Sequence, residues 1–236
     1  MTKLAIITGA SSGIGMASAR QLLNDGFHVI NVSRRPCTLE GVTNICGDLS
    51  ETENIHLLAG QIIAVIEQQE ATSVCVVHNA ALMLKDSVGD TSDEDLLRVL
   101  QINVVAINAL NRILLPHLPS TSSLLFVGST LSEKAVAGAF SYVVSKHAQL
   151  GMMRATCQDL MGRGIHTALI CPGFTDTEML RGHVGNNQDI IQSISGLNSF
   201  NRLVAPEEIA RLVGWCHENP VINGSVLHAN LGQVES

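Results

Sequence analysis

The chain has 236 residues, a length at which one domain buries a large core. Hydrophobic residues make up 46%, charged residues 15% and aromatic residues 3%; the net charge is −7, with Lys and Arg scattered. That balance excludes a nucleic-acid binder, which needs a basic face and stacking aromatics.

Six cysteines without a CxxC pair read as free thiols, three of them in apolar runs, and nine histidines without ligand spacing argue against a metal site. The apolar part of residues 1–7 is too short for a signal peptide, and no apolar run approaches the ~18 residues of a membrane helix. The expectation is a cytoplasmic protein that engages neither membrane nor nucleic acid. Asn223-Gly224-Ser225 reads as a turn.

In chain order, a strand at 4–7 leads directly into Thr8-Gly9-Ala10-Ser11-Ser12-Gly13-Ile14-Gly15 and an amphipathic helix at 14–24. The three glycines suit a tight turn, close backbone approach and close helix packing, and the helix start offers unpaired N–H groups to a phosphate. Gly26 suits a C-cap. A second strand at 28–32 ends in Ser33-Arg34-Arg35, and a third at 43–46 precedes Asp48-Leu49. Next come a helix at 53–69, a strand at 74–78 before Asn79-Ala80-Ala81, and a long helix at 93–115 with Thr91, Ser92 and Asp93 as N-cap candidates. Within it Asn103 sits in an apolar stretch, where a polar side chain is costly unless hydrogen-bonded.

A strand at 124–127 carries Ser129 just past its end, where open parallel sheets place their ligands. The helix at 140–161 carries Tyr142-Val143-Val144-Ser145-Lys146, and Tyr142 is the single tyrosine. The i, i+4 spacing sets Lys146 on the same helix face. A free phenol titrates near ~10, and a neighbouring ammonium lowers that value toward useful proton transfer. A strand at 166–171 leads into Pro172-Gly173-Phe174-Thr175-Asp176-Thr177. The segment 178–201 lacks a clear period and reads as a long loop, a lid over a substrate. A helix at 206–217 and a strand at 226–229 follow. The alternation predicts one α/β domain over 1–236, a doubly wound parallel sheet of about seven strands flanked by helices.

The glycine loop after Thr8, Asp48-Leu49, Asn79-Ala80-Ala81, Asn103, Ser129, the Y-x-x-x-K of Tyr142 and Lys146, and the 172–177 segment resemble, in that order, the short-chain dehydrogenase/reductase family. The resemblance covers the whole chain and implies a one-domain Rossmann fold. It implies hydride transfer between a nicotinamide cofactor and a ketone or secondary alcohol, with Tyr142 as acid/base. Lys146 then tunes the tyrosine, Ser129 stabilises the substrate oxygen, and Asn103 orders a water-linked proton relay with the lysine. Cofactor contacts are implied for Gly9, Ser11, Ser12, Gly13, Ile14, Gly15, Asp48, Leu49, Asn79, Ala80, Tyr142, Lys146, Pro172, Gly173, Thr175 and Thr177.

NAD-preferring relatives carry an acidic residue where Ser33 stands. Its absence, with Arg34 available to a 2′-phosphate and Arg35 to assist, points to NADP(H), NAD(H) remaining possible. The chain departs from the family at His78, Ala81, Ser132 and Leu231. Leu82, Ala135, Phe140, Phe174 and Met179 are expected near a small carbonyl or alcohol substrate. The resemblance also implies a homodimer or homotetramer through the helices at 93–115 and 140–161. The competing reading is a catalytically silent dinucleotide-binding sensor or scaffold.

Overall fold

The computed structural model describes residues 2–234. Seven strands, β1 (Thr2–Thr8), β2 (His28–Ser33), β3 (Val42–Cys46), β4 (Ala71–His78), β5 (Ser123–Val127), β6 (His166–Pro172) and β7 (Ser225–Ala229), form one sheet. All neighbours pair in parallel, in the order β3-β2-β1-β4-β5-β6-β7. Parallel neighbours cannot be joined by hairpins, so the connections cross the faces as helices and both faces must be apolar. Every residue of β5 and β6 is buried. The strand order reverses between β1 and β4, which opens a crevice at the carboxyl ends of the strands.

The helices are α1 (Gly13–Asn24), α2 (Thr52–Gln68), α3 (Asp93–Leu100), α4 (Ala106–Leu114), α5 (Phe140–Asp159), α6 (Glu178–His183), α7 (Gln188–Ser195) and α8 (Pro206–Glu218). On one face Ile55, Ile62, Leu110, Leu114 and Met153 from α2, α4 and α5 pack on Ile6, Val76, Leu124 and Phe126. On the other, Ala19 and Leu22 of α1 and Ile209 and Val213 of α8 pack on Ile7, Val29, Val77 and Ile170. Aliphatic side chains make up most of both layers, with Phe126 in one and Phe27 in the other.

All seven predicted strands and the helices at 14–24, 53–69, 140–161 and 206–217 are present, with bounds shifted by a few residues. The stretch at 93–115 differs: α3 and α4 are joined by a π turn, Gln101–Val105, and Leu115–His117 tightens to a 3-10 turn. Ser92 is the N-cap of α3, its hydroxyl accepting from Asp95 N at 3.1 Å. Among the described residues, Asp93–His117 is long and apolar enough to cross a membrane, which the sequence reading denied to every stretch. In the fold it serves as a core helix, with Val99, Ala106, Ile107, Leu110 and Leu114 buried.

The 178–201 segment is not a structureless loop, since it holds α6 and α7. Thr177 caps α6 and Asn187 caps α7. Helices this short carry too few turns for an apolar period to register. Cys46, read from its run as a buried strand residue, is exposed on edge strand β3. Asn223 Oδ1 accepts from Thr167 N at 2.9 Å, and Gly224 turns the chain at φ +75°.

Candidate active site

The backbone turns after β1 at Gly9, with φ +73°, a region that side chains rarely enter. A Cβ on Gly15 would lie 2.2 Å from Gly9 O, so only glycine lets α1 start this close to the loop. Thr8 Oγ1 accepts from Asn79 N and Ala80 N at 2.9 and 3.0 Å, while Asn79 Nδ2 donates to Thr8 O and Gly9 O at 3.0 and 3.1 Å. Asn31 Oδ1 accepts from Ala10 N at 3.0 Å. The ends of β2 and β4 therefore hold the loop in shape. The Ser12 side chain makes no capping bond, and no acidic residue occupies the first turn of α1. The N–H groups and positive dipole end of α1 are left for an anion.

This loop forms one wall of a cleft of about 450 Å³ that runs to the 172–177 segment. Every residue assigned above to catalysis or cofactor borders it except Gly15, which packs α1 on the loop, and Asn103, which is buried behind it. At the β2 end, Ser33 Oγ donates to Arg35 O at 2.5 Å, so its hydroxyl closes its own turn. Arg34 is exposed at the rim. Burial opposes ionisation of Asp48, but the N–H and hydroxyl of Ser50, then Arg34 and Arg98, hold its carboxyl below the ordinary range. Arg98, on α3, borders the cleft and was not singled out in the sequence. Its position, in the helical turn before Asn103, was the available signal.

Tyr142 and Lys146 are both buried on α5, with the Lys146 ammonium 5.3 Å from the Tyr142 ring centroid. Lys146 Nζ donates to Val127 O at 2.8 Å and to Gln149 Oε1 at 3.0 Å. The Ser129 hydroxyl faces the Tyr142 phenol, where it favours the ionised form, and accepts from Leu131 N at 3.1 Å. Burial raises the Tyr142 phenol above its ordinary value, with Ser129 pulling the other way. Burial pushes Lys146 down to about 7 and, in β6, the Cys171 thiol up to about 11. Burial thus dominates the phenol, against the lowering expected from the lysine together with a positive nicotinamide.

Asn103 lies in the π turn. Its Nδ2 donates to Leu82 O and Ser145 Oγ, both at 2.9 Å, and its Oδ1 accepts from Leu82 N at 2.8 Å. Ser145 Oγ in turn donates to Tyr142 O at 2.7 Å. The asparagine side chain thus ties the segment after β4 to α5. The Gln149 side chain links Asn103 to Lys146, with Nε2 donating to Asn103 O at 2.7 Å and Oε1 accepting from Lys146 Nζ.

Residues 9–233 match the family described as Enoyl-(Acyl carrier protein) reductase. The chain belongs to the short-chain dehydrogenase/reductase family. A putative ketoacyl reductase of Streptomyces coelicolor is 25% identical over 237 aligned positions, 91% of this chain and 89% of that one. A cyclic-di-GMP-binding biofilm dispersal mediator protein of Escherichia coli is 27% identical over 221, covering 90% and 88%. A short chain dehydrogenase family protein from Francisella tularensis superposes with a TM-score of 0.86 at 26% identity, over 98% of each chain.

Two further structures share the fold at lower identity. A 3-oxoacyl (acyl-carrier-protein) reductase from Agrobacterium tumefaciens with NADP bound has a TM-score of 0.88 at 21% identity, covering 98% of this chain and 93% of that one. A 4-hydroxyisoleucine dehydrogenase complexed with NADH has 0.84 at 24%, covering 98% of each. Both dinucleotides thus occur on the fold of this oxidoreductase family.

The departures from the short-chain dehydrogenase/reductase pattern have local reasons. Ser132 is buried and its Oγ accepts from Ser129 N at 3.2 Å, fixing the turn that presents Ser129. Leu231 has φ +57°, the left-handed region that favours the glycine usual there. His78 is buried, with Nε2 2.8 Å from Asn111 Oδ1. Thr175 Oγ1 donates to Gly173 O at 3.0 Å, and Thr177 packs on Gly13 while capping α6. Leu82, Phe174 and Met179 border the cleft beside Met83, Leu131 and Val136; Ala135 and Phe140 do not. His183 of α6 also borders it, its imidazole pushed down by burial and by Lys85. Among the described residues no group of three or more His, Cys, Asp or Glu is arranged to hold a metal.

Proposed function

We propose that this chain is an NADP(H)-dependent oxidoreductase that interconverts a ketone and a secondary alcohol, with Tyr142 as acid/base. One observation carries the reading: Ser129, Tyr142 and Lys146 meet on the wall of the same cleft that the glycine loop opens. A dinucleotide fits that cleft. The uncapped start of α1 suits its phosphates, and the close contacts of Gly9 and Gly15 leave no room for side chains in the cradle.

The cofactor, when bound, supplies or accepts the hydride. Ser129 donates a hydrogen bond to the substrate oxygen, and Tyr142 gives that oxygen its proton in reduction and takes it back in oxidation. Burial keeps the phenol protonated at neutral pH, the form that reduction needs. Lys146 sets a positive charge beside the phenolate left behind, and Asn103 fixes the helix that carries both. Arg34, with no carboxylate at Ser33 to repel a 2′-phosphate, gives the preference for NADP(H), and Arg35 assists.

The apolar wall of Leu82, Met83, Leu131, Val136, Phe174 and Met179 suits a small substrate with an apolar body around its carbonyl. The segment 178–201, with α6 and α7, acts as its lid. Exposed Leu97, Val105 and Val144 favour a homodimer or homotetramer through the α3–α4 run and α5, in the cytoplasm. A silent sensor would have no use for Tyr142 and Lys146 buried together at the cleft.

The test is calorimetric titration with NADPH and with NADH, followed by NADPH oxidation against a panel of ketones. Tighter NADPH binding with turnover is expected. Binding without turnover of any ketone would favour the sensor, and binding of neither cofactor would overturn the reading.

A further inference from the structure

Gln149 lies three residues beyond Lys146 on α5, on the same helix face and 1% exposed. Its orientation is fixed by its partners, since an ammonium only donates and a backbone carbonyl only accepts. Oε1 must therefore face Lys146 Nζ, at 3.0 Å, and Nε2 must face Asn103 O, at 2.7 Å. The reversed amide would set donor against donor and acceptor against acceptor. A buried amide with both ends committed in this way is a rigid strut between α5 and the π turn.

We infer that Gln149 is a positioning residue for the proposed reaction, which holds the Lys146 ammonium in place and in its charged form by bridging it to the Asn103 carbonyl. The inference rests on the oxidoreductase reading of the cleft. The groups around Lys146 explain why a neutral amide matters so much. From β5 comes the Val127 carbonyl, from β6 the Cys171 thiol, and from its own helix the Tyr142 phenol and Gln149. None of these is a carboxylate. The charge is stabilised by two neutral acceptors against a burial that already brings the amine to about 7. Losing one of two acceptors tips the amine toward its neutral form at neutral pH.

The amide has a second consequence. Unlike a hydroxyl or a water, it cannot pass a proton on while remaining the same amide. Protons exchanged at Tyr142 therefore do not drain through Gln149 to Asn103, and this branch sets charge without carrying protons.

The chain holds four lysines, Lys3, Lys85, Lys134 and Lys146, so side-chain NMR of lysine-labelled protein follows Lys146 directly, with Lys146→Arg for assignment. Gln149→Met keeps length and volume but removes the acceptor, and should lower the Lys146 titration by about one pH unit. Gln149→Glu keeps an acceptor on Lys146, now charged, and should raise its titration above the parent, although it gives up the donor to Asn103 O. With a ketone–alcohol pair in hand, Gln149→Met should lower kcat for alcohol oxidation about tenfold at pH 7, shift its pH profile to the alkaline side and leave KM nearly unchanged. Gln149→Glu, which holds the charge on Lys146 but loses the bond to Asn103 O, should bring the pH profile back from the alkaline side without restoring kcat in full.

Unchanged Lys146 titration in both variants overturns the inference. If Gln149→Met does not fold, unchanged titration in Gln149→Glu alone does the same. A parent protein that turns over no carbonyl compound sinks the reductase reading instead, while the NMR titration still decides the role of Gln149.

Discussion

Arg35, on the turn after β2, and Glu178, the first residue of α6, pair at 3.6 Å across the mouth of the cleft. Both side chains are well exposed, so the pair is weak and salt-sensitive. It nevertheless joins the proposed 2′-phosphate site to the proposed lid, and it sets the Glu178 carboxylate where it would repel a phosphate held by Arg35. Glu178→Gln should tighten NADPH binding about threefold at low salt and leave NADH unchanged. Arg34→Ala should weaken NADPH about tenfold or more with little effect on NADH. Calorimetry at two salt concentrations checks both, and equal changes for the two cofactors would remove these arginines from the 2′-phosphate site.

Tyr142→Phe deletes one hydroxyl and keeps the ring that packs beside Lys146. Turnover should fall at least about 100-fold, within the range ascribed to a positioned acid/base. NADPH affinity should stay within about twofold, because the cradle on the other wall is untouched. Near-normal turnover in this variant excludes Tyr142 as the proton donor.

Much of this arrangement is legible from the sequence, because it depends on short-range patterns. Tyr142 and Lys146 are four residues apart on one helix, and Gly9, Gly13 and Gly15 follow one strand. The roles of Asn103 and Gln149 are less so. Asn103 turns its amide to Leu82 and Ser145 and offers only its carbonyl to Gln149, a division that depends on a π turn no apolar period reveals. The Arg35–Glu178 pair is likewise a contact between distant segments. Helix α6 escaped notice because its six residues make too few turns, and α7 because its apolar residues Ile190, Ile191 and Ile194 span barely two turns; the caps Thr177 and Asn187 were the remaining signals.

Gly15→Ala tests whether the loop geometry is needed for cofactor binding. The added Cβ would lie 2.2 Å from Gly9 O and 2.5 Å from Asn79 Nδ2, so the loop or the start of α1 must move. Overpacking of this kind costs about 1–3 kcal/mol, and the displaced N–H groups no longer converge on one anion. Thermal unfolding should show the stability loss, and calorimetry a drop of about tenfold or more for NADPH and NADH alike. A variant that binds both cofactors normally would show that the close packing of α1 on the loop is dispensable.

Two buried histidines, one at each end of the sheet, shape the acid stability. His217 of α8 is buried between Ser73, 3.1 Å from Nε2, and Ser123, 2.8 Å from Nδ1. Ser73 spends its one hydroxyl proton on Thr121 O at 2.8 Å, so Nε2 must be the donor and Nδ1 accepts from Ser123, a complete set for a neutral ring. Burial, with His166 and Lys3 nearby, pushes this imidazole down to about 4; burial does the same to His78, whose Nδ1 has no partner. In the unfolded chain both rings take up protons as pH falls through about 6.5, whereas in the fold they resist until about 4. Their contribution is therefore fully present above about 6.5 and is lost as pH drops toward 4, at about 1.4 kcal/mol per unit for each ring. The melting temperature should hold from pH 8 to 7 and fall steadily from 6.5 to 4. His217→Gln, which cannot charge, should show a shallower fall even if it starts from a lower midpoint. A parent protein whose midpoint is flat between pH 6.5 and 4.5 would mean that these histidines are not held neutral by the fold.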